Sequence, residues 1–176
     1  AIDYREQLEW LERIIVENKR IIAVGEIGLD KNCTTDIILQ EEVFTKQLEL
    51  AAKKHLPVII HNVRATGEIL SIQKQYSPIS PFIFHGFRGK FTKAAAILES
   101  GNYLSFGAGL LLNDTSTLES FKKTPIVRLF LETDDSTSTI LEIYSKAAEI
   151  RNVSLDQLAK EIWNNFTGLF KFSPNE

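Results

Sequence analysis

Cysteine is nearly missing from this chain: Cys33 is the only one. No disulfide framework can form from it, and a reducing, cytoplasmic compartment is the expected setting. Methionine is absent altogether, which by itself carries no functional meaning. No apolar run approaches the roughly 20 residues needed to span a bilayer, so no membrane partner is expected. The opening Ala1-Ile2-Asp3-Tyr4-Arg5-Glu6 resembles neither a signal peptide nor a transit peptide. An excess of one charge sign is also lacking, since the formal net charge is only −3. A polyanion would find no general attraction here, so a nucleic-acid substrate must be held by local contacts. That argues against a protein coating nucleic acid nonspecifically, though not against a nuclease using metal ions. A glycine-rich phosphate loop is missing as well. Gly25-Glu26-Ile27-Gly28 lacks the third glycine and places an acid where a dinucleotide fold needs small residues.

What remains is the composition of a globular protein, 44% hydrophobic and 24% charged over 176 residues. This is enough for one domain with a substantial core, read here as residues 1–176. Short apolar, β-rich runs alternate with longer segments of helical period. Leu8, Leu11, Ile14 and Ile15 mark the buried stripe of an opening helix. Strands are expected over 21–26, 57–61, 81–85, 102–107 and 127–133. Helices are expected over 40–54, 65–76, 91–99, 117–123, 138–151 and 154–170. Gly101 sits where a helix C-terminal glycine belongs, and Ser154 is a natural N-cap. Five strands apolar almost throughout call for a parallel sheet covered by helices. Periodicity leaves two architectures open, a doubly wound sheet and a (β/α)8 barrel.

The chemistry gathers at the expected strand ends: Glu26 closes the first strand, His61 the second, His85 the third and Asp134 the fifth. In parallel α/β folds catalytic groups collect at the carboxyl ends of strands. Two imidazoles and two carboxylates there make a mixed N/O donor set for Zn²⁺ or Mn²⁺, with Mg²⁺ favouring the carboxylates. Each residue alone has a plainer role. A histidine at a strand end can be a hydrogen-bonded structural residue, Glu26 a cap, and Asp134-Asp135-Ser136 an Asx-turn or N-cap. Four on four strands at one end are better explained by a metal site. The other chemically capable residues read as structural. His55 fits a solvated helix end, Cys33 has no local histidine, Ser105 has no nucleophile elbow, and Glu6, Glu9, Glu12 and Arg13 form a solvated helix face.

These motifs resemble those of the TatD-type deoxyribonucleases. Gly25-Glu26-Ile27-Gly28-Leu29-Asp30 is similar to that family's fourth-strand signature. Phe44, Gln47-Leu48, Leu50-Ala51, Leu56-Pro57-Val58 and His61 are similar to its next helix and strand. His85-Gly86-Phe87-Arg88-Gly89 resembles its His-Cys-Phe-Ser-Gly segment. Leu131-Glu132-Thr133-Asp134 is similar to its last barrel strand, and Asn165 with Leu169-Phe170 to its closing helix. The resemblance covers essentially the whole chain. It implies a (β/α)8 TIM-barrel-type fold, of which this chain supplies about the last five β/α units. It also implies two divalent metal ions (Mg²⁺, Mn²⁺ or Zn²⁺), with Glu26 bridging them. His61 and His85 complete one ion, while Asp134 binds the other and orients the attacking water. The implied activity is hydrolysis of DNA from a 3′ end, so DNA or a nucleotide is the implied substrate.

The chain departs from the family pattern in three ways. The family's His-x-His pair on the first barrel strand, and the two strands after it, have no counterpart here. A five-stranded sheet leaves an apolar edge open, so a preceding segment is expected. After His61 the usual arginine comes one position late, as Arg64, a displacement of about 100° if the stretch is helical. Asp134 is followed by Asp135 and Ser136 where a small residue and proline are usual, and Arg88 replaces a small residue. Arg64 and Arg88 are the candidate phosphate contacts, the second able to clamp a phosphate bidentately or to pair with Asp135. Two other readings stay open: a related metal-dependent amidohydrolase or lactonase acting on a small substrate, and a non-catalytic binding module.

Overall fold

The structure is a computed structural model that describes residues 3–76 and 80–171. The chain divides into two compact units, Ala1–Phe82 and Ile83–Glu176.

The first unit contains α1 (Tyr4–Glu17), β1 (Val24–Asp30), α2 (Ile37–Lys53), β2 (Val58–Val63) and α3 (Thr66–Gln75). Asp3 caps α1 by accepting the Arg5 N–H at 3.0 Å. Ile15 is the buried residue of its stripe, and Glu6, Glu9, Glu12 and Arg13 face solvent as expected. α2 begins three residues before the expected start at 40, because Asp36 accepts the Ile38 N–H at 2.7 Å and satisfies the first turn. Phe44, Leu48 and Ala51 recur at helical spacing along it, are essentially fully buried, and face the sheet. β1 and β2 pair in parallel, with Val24, Ile27 and Leu29 buried from the first and Val58 and Ile60 from the second.

β3 (Phe82–Phe84) lies at the unit boundary. The second unit continues with α4 (Phe91–Glu99), β4 (Tyr103–Phe106), α5 (Thr115–Lys123), β5 (Leu129–Leu131), α6 (Ile140–Arg151) and α7 (Leu155–Phe170). β3, β4 and β5 pair in that order, all parallel. Phe84, Leu104, Phe106 and Leu129 are buried. Edge-to-face rings join Phe87 to Phe106 at 5.4 Å and Phe106 to Phe121 at 5.2 Å. Gly101 has φ +80° just beyond α4, the left-handed stop its sequence position suggested. Ile140, Leu141, Leu155 and Trp163 stay partly exposed along an open apolar groove of about 730 Å³ beside β5. Among the described residues, no helix is long and apolar enough to cross a membrane.

The expected strand over 127–133 is much shorter than its apolar run. Ile126–Arg128 form a 3₁₀ turn, closed by the Arg128 N–H donating to the Pro125 carbonyl at 2.9 Å, and only Leu129–Leu131 are strand. Proline removes a ladder donor and fixes φ just where the strand would begin. From α7 the Asn165 amide donates to the carbonyls of Ile126 at 2.7 Å and Leu129 at 2.9 Å, tying the turn down. α6 likewise starts at Ile140 rather than 138, since Thr139 and Glu142 form a capping box. Ser154 caps α7 by accepting the Gln157 N–H.

Two outcomes follow. Asn165→Ala removes the donor to the Ile126 carbonyl of the turn and the Leu129 carbonyl of β5, and urea unfolding is expected to show a loss of about 2 kcal/mol. Asp114, the N-cap of α5, accepts from the Thr117 and Ser116 hydroxyls and the Thr117 N–H, which lowers its carboxyl from 3.8 to about 2. Because the folded value is the lower one, the stabilisation is complete above the unfolded value and lost as pH falls toward about 2. The stability gap between the protein and Asp114→Ala should therefore close over that window.

Candidate metal centre

In the first unit, Glu26 does not end its strand. β1 runs on to Asp30, because Gly28, Leu29 and Asp30 continue the ladder against His61, Asn62 and Val63. The register shifts between Val24 and Ile27, and Glu26, exposed, sits in that irregularity; the Gly25–Glu26 peptide is cis. His61 likewise lies inside β2 rather than at its end. The two glycines beside Glu26 are there because the neighbouring strand comes very close. A Cβ on Gly25 would lie 2.6 Å from the Ile59 Cβ, and one on Gly28 only 1.9 Å from the His61 carbonyl oxygen. The result is that a carboxylate oxygen of Glu26 and a ring nitrogen of His61 lie within 4.8 Å of each other.

Asp30 faces the same imidazole, its Oδ2 3.5 Å from His61 Nε2. The Asp30 carboxyl lies below its ordinary value, first through the Asn32 N–H at 2.7 Å and then, against some desolvation, through His61. Gln40 fixes this strand end. Its amide accepts the Asp30 N–H at 2.7 Å and donates to the Asp30 carbonyl at 3.0 Å. Arg64 follows β2 with φ +56° and is exposed. It precedes α3, so the expected displacement around a helix does not apply to it.

In the second unit, His85 directly follows β3 and is 89% covered, its side chain 11% exposed. The segment after it is tied down from three sides. The Phe87 N–H donates to the Ser105 carbonyl at 2.9 Å, the Gly89 N–H to Thr117 Oγ1 at 3.1 Å, and Ser120 Oγ to the Gly89 carbonyl at 2.6 Å. Asp134 lies three residues past the end of β5, with φ +49° and its Oδ2 4.0 Å from His85 Nδ1. It caps no helix, since Thr139 caps α6. Arg88 is exposed and lies across Gly109, where a Cβ would come 3.0 Å from its Nε.

The carboxylate that organises this unit is Glu132, which carried no role in the sequence reading. Its Oε1 accepts the Gly86 N–H and stands 3.7 Å from His85 Nδ1, while its Oε2 accepts Ser105 Oγ at 2.5 Å. Burial pushes the Glu132 carboxyl up, but the His85, Ser105 and Gly86 hydrogen bonds outweigh it and the net shift is downward. An acid inside an apolar run was the available signal, because such a group is tolerated only when several donors meet it. Ser105, read as bland, is one of those donors.

The parallel α/β architecture is of TIM-barrel type and carries acids and imidazoles on its strands or just after them, a donor set that suits a metal-dependent hydrolase. The comparisons specify it further. The family described as TatD related DNase matches residues 2–171, and the chain belongs to that family. It is 30% identical over 190 residues to the "uncharacterized metal-dependent hydrolase YabD" of Bacillus subtilis, covering 98% of this chain and 74% of that protein. It is 29% identical to "deoxyribonuclease Tat-D" of Schizosaccharomyces pombe, across 75% of this chain and 43% of that one. The crystal structure of YjjV, a TatD homolog from Escherichia coli, superposes with a TM-score of 0.85 at 24% identity, over 96% of this chain and 71% of that one. The resemblance read from the motifs and the barrel-type fold are both borne out.

Gly28→Ala tests how tightly the first pair of groups is built. The added carbon meets the His61 carbonyl at 1.9 Å, so β1 and β2 must part, and a loss of about 3 kcal/mol or more is expected in urea unfolding.

Proposed function

We propose that the protein is a phosphodiesterase acting at DNA 3′ ends through two divalent ions. Glu26, His61, His85 and Asp134 serve as the ligands in this reading. The observation that carries it is the pairing of ligand types within each unit: Glu26 beside His61 in one, and His85 facing Asp134 in the other. Mixed imidazole and carboxylate donors suit Zn²⁺ or Mn²⁺, and the carboxylates also suit Mg²⁺. When bound, such ions supply Lewis acidity and a nucleophile from water at neutral pH. Glu26 would be the carboxylate shared by the ions, His61 and His85 would complete one of them, and Asp134 would hold the other and help orient the attacking water. Arg64 and Arg88, both exposed, take up phosphate oxygens of the substrate. With a net charge of −3, the chain depends on such local cations for affinity, which makes binding sensitive to salt. The action is placed in the cytoplasm, in keeping with the lone exposed Cys33. Support for a nucleic-acid substrate comes from the family and from the deoxyribonuclease among the relatives.

The test is release of label from 3′-labelled single-stranded DNA with and without Mg²⁺ or Mn²⁺, beside Glu26→Ala. Release that needs the metal and falls at least about 100-fold in the variant is the expected result. Turnover of small lactones or amides with none on DNA would move the site to the related amidohydrolase chemistry. Inertness toward both, from folded protein with intact metal binding, would leave a binding module.

A further inference from the structure

Glu132 lies immediately after the apolar strand β5, with its side chain only 21% exposed. Taking a carboxylate out of water costs several kcal/mol unless donors replace the solvent. Two hydrogen bonds and one ion-pair contact do so, from two other segments of the second unit. The Gly86 N–H reaches Oε1, Ser105 Oγ reaches Oε2, and His85 Nδ1 stands 3.7 Å from Oε1. Ser105 is itself 3% exposed, so its hydroxyl has little water to exchange for this partner. Gly86 is the residue next to His85, so one carboxylate oxygen of Glu132 grips the backbone beside the imidazole and also faces its Nδ1. It is nearer than Asp134 Oδ2, which stands 4.0 Å from the same nitrogen and is not hydrogen-bonded to the Gly86 backbone. The two ring nitrogens lie on opposite sides of an imidazole. A carboxylate at Nδ1 therefore holds the proton there and turns Nε2, with its lone pair, the other way.

We propose that Glu132 is a positioning residue, which locks His85 in the Nδ1–H tautomer and presents Nε2 to a divalent cation. Ser105 and the Gly86 N–H keep the carboxylate itself from turning. This inference rests on the reading of His85 as a metal ligand, and it assigns Glu132 no contact with metal or substrate. A carboxylate behind a ligating histidine fixes ring orientation and raises ligand basicity, so its loss weakens metal affinity without removing a ligand.

The experiment is titration of the protein with Mn²⁺ by calorimetry, together with ¹⁵N NMR of the His85 ring in the metal-free state. Glu132→Gln keeps shape and removes charge; it is expected to weaken Mn²⁺ binding by about 10- to 100-fold and to mix the ring tautomers. His85→Ala is measured beside it. If His85→Ala leaves affinity unchanged, the ligand reading fails and takes this inference with it. If His85→Ala weakens binding and Glu132→Gln does not, the ligand reading stands and the positioning role is overturned. Weaker binding with an unchanged Nδ1–H ring also overturns it, as does a wild-type ring protonated on Nε2. Should Glu132→Gln fail to fold, Ser105→Ala frees the carboxylate without deleting it. A several-fold weaker Mn²⁺ affinity there supports the proposal, and unchanged affinity refutes it.

Discussion

Parallel strands covered by helices leave little room for polar groups along their buried stretches, and much of this structure follows from that constraint. A buried stretch of strand must be apolar, so polar chemistry is pushed to strand ends, to irregularities, into satisfied networks, or to half-buried strand positions such as His61 of β2. Glu26 takes the second route, exposed at the register shift of β1. His85 and Asp134 take the first, in the segments following β3 and β5. Glu132 takes the third, with donors from two other segments of its unit.

The two histidines are held in similar ways. His61 has Asp30 at 3.5 Å, and His85 has Glu132 at 3.7 Å. Each carboxylate is anchored in turn, Asp30 through its main chain by Gln40 and Glu132 by Gly86 and Ser105. For the proposed ligand set, rigid support of this kind lowers the ordering cost of binding an ion. Both acids sit below their ordinary protonation range through partners on the carboxylate itself: the Asn32 N–H and then His61 for Asp30, and, against burial, His85, Ser105 and the Gly86 N–H for Glu132.

Much of the fold was legible in the residues. The alternation of apolar runs and helical stripes placed every strand and helix, and the span 91–99 coincides with α4. Discrepancies arose where one polar contact overruled periodicity. Asp36 started α2 early, Thr139 started α6 late, and Pro125 with Asn165 turned part of an apolar run into a 3₁₀ turn. Hydrophobic pattern reports burial, and these boundaries depend on which neighbour supplies a hydrogen bond.

The candidate site divides along the same line. The family could be read from the motifs around Glu26, His61, His85 and Asp134, because motif residues are close in the chain and their types are dictated by chemistry. The tertiary structure alone decided that Glu26 sits within β1, that Arg64 stands outside any helix, and that Glu132 and Ser105 matter. Ser105 and Glu132 are 27 residues apart, and Gly86 and Glu132 are 46 apart. Local periodicity contains no information about such partners. They meet only because the parallel strands are laid side by side, and that is a property of packing rather than of any one segment.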